Sequence, residues 1–186
     1  MRTATSGLAL VRARDPGDAL ARLRDDPELR PIAGCTDVFV DVNAGHLEGT
    51  RFLDLWPLRD AWGRVEVRGD RLSIGALATY TDVIRSDAVR GWIPTLVEAA
   101  ISVGGAQIQN RGTIGGNVAN ASPAGDTPPV FLAADAEVVL ASAASVAGSR
   151  TTVAASEPAA IAGAGRFTAA STTFEIACAA RVPTFR

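Results

Sequence analysis

Residues 107–126 read QIQNRGTIGGNVANASPAGD and gather residue types suited to an anionic ligand. Gly112, Gly115 and Gly116 let backbone N–H groups approach an anion with no Cβ in the way. Successive N–H groups can then form a nest for phosphate oxygens. Thr113, Asn117, Asn120 and Ser122 add neutral hydrogen bonds. A second small-residue turn, Ala33-Gly34-Cys35-Thr36-Asp37, falls between an expected strand and an expected helix. There the helix N-terminus also favours an anion. Two such loops from distant parts of the chain can clamp one pyrophosphate between subdomains, a common place for cofactors. Each loop alone is weak evidence, because a Gly-Gly turn is more often only a turn. The G-x-G-x-x-G fingerprint with its acidic follower does not occur after a strand, which disfavours a Rossmann NAD site. Asp126 has two roles open to it, capping the segment 127–134 or hydrogen-bonding a ribose hydroxyl.

Other chemistries are excluded by composition. All 18 basic residues are Arg, so Schiff-base lysines and a Walker-type phosphate lysine are absent. Cys35 and Cys178 are too far apart in sequence for a local metal or redox motif, and this chain alone cannot ligate a [2Fe–2S] cluster. One His removes His-rich metal sites and makes a catalytic triad improbable. A net charge of −2 argues against nucleic acid as a partner. No apolar run approaches a membrane span or a signal peptide, so a cytoplasmic protein with reduced thiols is the default expectation. At 186 residues, 47% hydrophobic and 20% charged, the chain has globular composition and can bury a core without disulfides.

The elements that must position the two loops are readable in outline. Residues 8–12 form a short strand. Asp15 caps a helix with Pro16 in its first turn and Ala19, Leu20 and Leu23 on one face, ending near Pro27. Residues 31–34 run from a strand into a glycine turn. Thr36-Asp37 cap a second helix with Val38, Phe39 and Val42 inside, closed by Gly45. Residues 52–55 make a third strand. This β-α-β-α-β opening is a compact α/β unit with a parallel sheet. Residues 65–68 and 71–74 flank Gly69-Asp70 as a hairpin. Residues 79–85 and 93–103 are helical, 104–129 are dense in Gly, Asn, Pro and small residues, and 136–141 form a strand. From about residue 143 the chain is rich in Ala, Ser, Thr and Gly. Weak strand candidates lie at 151–153 and 174–182, and a poorly packed edge or a low-complexity tail are both open.

The segments PIAGCTDVFV (31–40), LSIGALATYTDV (72–83) and QIQNRGTIGGNVANASPAGDTPPVFLAADAEVVLAS (107–142) closely resemble one family. It is the FAD-binding subunit or domain of the molybdenum hydroxylases, which include xanthine dehydrogenase, aldehyde oxidase and carbon monoxide dehydrogenase. TIGGN followed by SPAGD is the specific part, and the resemblance covers residues 1 to about 150. It implies an α+β, PCMH-type FAD-binding fold of two subdomains, a small α/β unit and a mixed sheet with flanking helices, with FAD between them. The expected division is 1–55 and 56–186. The first FAD loop maps to Ile32, Ala33, Gly34, Cys35, Thr36 and Asp37, where the family often has Gly in place of Cys35. The second maps to Thr113, Ile114, Gly115, Gly116 and Asn117. Asp126 matches an aspartate that binds the cofactor's sugar–phosphate part, Val103 an apolar contact, and Arg111 a residue that supports the loop. No catalytic residue and no metal ligand is implied.

The resemblance also implies a role as an oxidoreductase flavoprotein subunit. Electrons from a substrate oxidised at molybdopterin on a large subunit would pass through [2Fe–2S] clusters on a small subunit to FAD. They would then go to NAD+ or another acceptor. The family's usual C-terminal domain is not expected within 186 residues, and the stretch between residues 150 and 174 matches poorly. The competing expectation is therefore a truncated or degenerate member, a non-catalytic assembly module without flavin.

Overall fold

The computed structural model describes residues 7–141, together with the backbone of 151–154 and 173–175. The chain opens as three short parallel strands and two helices: β1 (Ala9–Arg12), α1 (Pro16–Asp25), β2 (Arg30–Ile32), α2 (Thr36–Ala44) and β3 (Arg51–Asp54). β3 lies between β1 and β2 and pairs in parallel with both. Each connection to the next strand therefore carries a helix, as a parallel pair requires. α1 starts as its sequence dictates, with the Asp15 carboxylate accepting the Asp18 N–H at 2.8 Å and Pro16 in the first turn. Its inward stripe, Ala19 and Leu23, packs with Leu29, Leu53, Leu55, Leu58 and Leu77 in a small core.

Two expectations for α2 fail. Its N-cap is Cys35, in the left-handed conformation with φ of 62° and no side-chain cap, so neither Thr36 nor Asp37 caps it. Phe39 is 58% exposed rather than inside. Val38 and Val42 are four apart and share one face, whereas Phe39 lies about 100° further round the helix.

After β3 a 3-10 turn (Trp56–Leu58) leads into α3 (Arg59–Trp62) and the antiparallel hairpin of β4 (Val65–Arg68) and β5 (Arg71–Ile74). Three helices follow: α4 (Tyr80–Arg85), α5 (Asp87–Trp92) and α6 (Pro94–Ser102). α4 carries a reciprocal cap, in which Thr79 Oγ1 accepts the Asp82 N–H while Asp82 accepts the Thr79 N–H. The glycine-rich region is more helical than its composition indicates, containing α7 (Ala106–Gln109), α8 (Ile114–Asn120) and, at the diproline, α9 (Pro128–Ala133). The larger core gathers Leu72, Ile74, Val83, Val89, Leu96, Ile114 and Val118 with Val138 of β6 (Glu137–Ala141). β6 pairs antiparallel with β7 (Thr151–Ala154) and β8 (Thr173–Glu175), the two weak tail candidates. The remainder of the 174–182 candidate lies outside the described residues.

Candidate functional site

The second loop is stitched to the segment that follows β5. Tyr80 N–H donates to the Gly112 carbonyl at 3.3 Å, Ile114 N–H to Ala78 at 2.9 Å and Gly115 N–H to Ala76 at 2.8 Å. Thr113, 4% exposed, is the N-cap of α8, and its hydroxyl accepts the Gly116 N–H at 3.1 Å. The amides of Ile114, Gly115 and Gly116 thus have acceptors within the chain. Ile114 is fully buried, and its side chain belongs to the larger core. Gly115 is there for packing, because a Cβ on it would meet the Ala76 Cβ and carbonyl at 2.7 Å. Gly116 is exposed, with only the Thr113 hydroxyl close by. Asn117 Oδ1 accepts the Thr127 hydroxyl, tying α8 to the start of α9.

The first loop is the reverse. Ile32 closes β2, and its carbonyl accepts Leu55 N–H at 2.9 Å. Beyond it, the N–H groups of Ala33, Gly34, Cys35 and Thr36 meet no acceptor among the described residues. They open α2, and the left-handed turn at Cys35 brings consecutive N–H groups toward one side, the geometry that holds anions. The row of four consecutive unsatisfied amides is thus in the loop with one glycine, whereas Ile114, Gly115 and Gly116 in the loop with several have acceptors.

The two loops touch. A Cβ on Gly34 would fall 1.8 Å from the Arg111 carbonyl oxygen and 3.1 Å from the Gly112 nitrogen, so only glycine permits this approach. Asn120 Nδ2 donates to Asp37 Oδ1 at 3.3 Å. The Arg111 guanidinium lies 3.7 Å over the Trp56 ring, which Arg59 also approaches at 4.7 Å. Trp56 and Arg59 were not anticipated from sequence, because their role exists only once the segment after β3 meets the second loop.

Tyr80 sits beneath this contact, 3% exposed, and both Asp37 and Asp126 act on it electrostatically. Burial and then those two carboxylates push its hydroxyl well above the usual phenol range, so it stays protonated. Asp126 is exposed and near Tyr80, and Thr127, not Asp126, stands at the N-cap of α9, its hydroxyl turned to Asn117 rather than capping the helix. Burial raises Asp37, with Asp41 adding and its own N–H opposing. Burial also raises Cys35 despite the nearby Arg111, so its Sγ stays a thiol, donating to the Ala33 carbonyl at 3.4 Å. A thiol above its ordinary range is a poor nucleophile. Val103 is the C-cap of α6 and packs on the larger core. Among the described residues no cluster of three or more His, Cys, Asp or Glu could hold a metal, and no helix is long and apolar enough to cross a membrane.

Comparison with known proteins is consistent from sequence to structure. Residues 5–157 match the family model described as the FAD binding domain in molybdopterin dehydrogenase. The chain is 35% identical over 141 residues to the glyceraldehyde dehydrogenase medium chain of Sulfolobus acidocaldarius, covering 76% of this chain and 49% of the relative. It is 31% identical over 127 residues to a putative xanthine dehydrogenase FAD-binding subunit of Escherichia coli, covering 68% and 44%. Among solved structures, carbon monoxide dehydrogenase from Hydrogenophaga pseudoflava superposes with a TM-score of 0.74 at 27% identity, covering 80% of this chain and 50% of that one. The chain thus spans about half the length of the curated relatives it matches. With the α+β architecture, the paired loops and the family match in agreement, the chain belongs to the FAD-binding domains of molybdopterin dehydrogenases.

Proposed function

We propose that this chain is the flavin-carrying part of a molybdenum-hydroxylase-type dehydrogenase, an oxidoreductase subunit that relays electrons. Its partners in this reading are a small [2Fe–2S] subunit, which delivers electrons, and a large molybdopterin subunit, where substrate is oxidised. NAD+ or another acceptor takes the electrons on. The observation that carries the reading is the row of four free amides, Ala33 to Thr36, opening where Gly34 meets Arg111.

The residues present fit the pyrophosphate of FAD. The four amides donate to its oxygens without spending a charged side chain, and the α2 N-terminus adds a favourable dipole. Arg111, held on Trp56, places one positive charge beside the same loop. Gly116 leaves the surface beside the α8 cap free of side chain. Bound FAD would supply the redox chemistry itself, and the protein's contribution is to hold and orient it. Hence no general acid or base is needed from this chain. We also read 1–55 and the residues from 56 onward as the two subdomains flanking the flavin, with Leu58 and Leu77 of the second packing into the small core of the first.

The test is direct. The purified chain, mixed with FAD and desalted, is expected to stay yellow with a flavin absorption band. A protein that remains colourless with excess FAD would sink the proposal in favour of an assembly module without flavin.

A further inference from the structure

One carboxylate oxygen of Asp82 joins two separate supports of the segment 111–113. Asp82 Oδ2 accepts the Arg59 guanidinium at 2.6 Å, the Thr79 N–H at 2.8 Å and the Thr79 hydroxyl at 2.7 Å. From Thr79 the first support runs through the backbone. Thr79 stands opposite Thr113 in an antiparallel bridge, flanked by the Tyr80–Gly112 and Ile114–Ala78 hydrogen bonds. From Arg59 the second support runs through side chains. The Arg59 N–H donates to the Trp56 carbonyl, and its guanidinium lies 4.7 Å from the centre of the Trp56 ring. The Arg111 guanidinium lies 3.7 Å from the same centre. Residues 111 and 113 are thus held by different routes from a single carboxylate.

The charges on the ring depend on Asp82. Two guanidiniums on one indole repel each other, and Arg59 alone of the two has a carboxylate partner among the described residues. Asp82 neutralises Arg59 and so lets the ring hold a second cation. Arg59 meets both demands at a cost. Its Nε is the one buried side-chain nitrogen or oxygen without a hydrogen-bond partner among the described residues. Buried donors are normally paired, so this side chain is placed by Asp82 and Trp56 and not by satisfaction of all its donors. Arg111 itself is exposed, and its carbonyl is the atom that a side chain at position 34 would strike. The unpaired cation therefore springs from the contact between the two loops.

We infer that Arg59 and Asp82 are positioning residues for the flavin site. Their ion pair fixes the Trp56 ring, and the ring presets the Arg111 guanidinium for the anionic ligand. Neither residue touches the ligand, and their effect passes through Arg111. Presetting the cation lowers the ordering cost of binding. The inference rests on the FAD reading above and adds to it the device that holds its one unpaired cation.

The full chain is tested first without ligand, by the Arg111 Nε–H resonance, which Arg111→Ala identifies by removing it. Over an indole this proton is expected upfield of an ordinary arginine. Asp82→Asn and Arg59→Met should each return it toward the ordinary position. Arg59→Met leaves the α4 cap intact, so it decides the matter if Asp82→Asn does not fold. An unmoved resonance in Arg59→Met overturns the inference. FAD affinity is then measured as a double-mutant cycle. Arg59→Met should weaken FAD about three- to fivefold, the scale of one exposed cation–π contact. In an Arg111→Ala background the same substitution should have no further effect. An equal loss in both backgrounds reduces Arg59 to support of the fold and overturns the inference. Unchanged affinity with a displaced resonance overturns it as well. A wild-type chain with the upfield resonance that takes up no FAD overturns the flavin reading, and the positioning role with it.

Discussion

Gly34 and Arg111, distant in sequence, meet so closely that the first side-chain atom at position 34 would fall 1.8 Å from the Arg111 carbonyl oxygen. Both positions are backbone, so no rotamer change relieves the clash, and the two loops would have to separate. Gly34→Ala is therefore expected to destabilise the protein by about 2 kcal/mol and to lose FAD binding. Urea denaturation and flavin titration read the two effects, and a variant with wild-type stability and affinity would refute the close approach.

Cys35 holds φ at 62°, which glycine adopts freely and other residues adopt at a cost. Its thiol is not activated, and it donates only a weak hydrogen bond to Ala33. Cys35→Gly should stabilise the fold by about 0.5–1 kcal/mol and leave FAD binding intact. Loss of flavin binding in this variant would assign the thiol a role that its geometry does not support.

The Arg111 guanidinium on Trp56 fixes the segment entering the second loop. Arg111→Ala is expected to cost about 1 kcal/mol of stability and to weaken FAD. Arg111→Lys should restore only part, because an ammonium lacks the planar face that stacks on indole. Full restoration by lysine would show that charge alone matters.

Asp18 accepts from the Arg14 side chain at 2.7 Å, the Arg14 N–H at 3.0 Å and the Arg22 side chain at 2.9 Å. These bonds, Arg14 first, hold its carboxyl well below the usual carboxylate range. The folded state thus binds this proton less tightly than the unfolded one. The stabilisation is full above the ordinary value of 3.8 and drains as pH falls from there toward Asp18's own value. Asp18→Asn should lower stability at neutral pH and flatten the acid limb of the stability curve. A parallel loss at every pH would contradict the assignment.

Much of this fold is legible in sequence because its signals are local. Asp15-Pro16 starts α1, Gly69-Asp70 separates β4 from β5, and a short apolar run with two valines marks β6. α8 is not legible in that way. Its residues, IGGNVAN, have poor helix propensity. Ile114 and Val118, buried on one face, hold it together with the Thr113 cap. The paired loops are legible as motifs, but the division of labour between them is not. The glycine-rich loop spends its amides on Ala76 and Ala78, which no local pattern announces, and the free amides are left to residues 33–36. Tyr80 and Trp56 gain meaning only from what folds over them.

The central claim, that the amides of the first loop hold the pyrophosphate, is tested most directly by amide 1H–15N shifts as FAD is added. The Ala33, Gly34, Cys35 and Thr36 resonances are expected to move strongly downfield together, while Ile114 and Gly115 move little. Large shifts at Ile114 and Gly115 with Ala33 to Thr36 unmoved would contradict it.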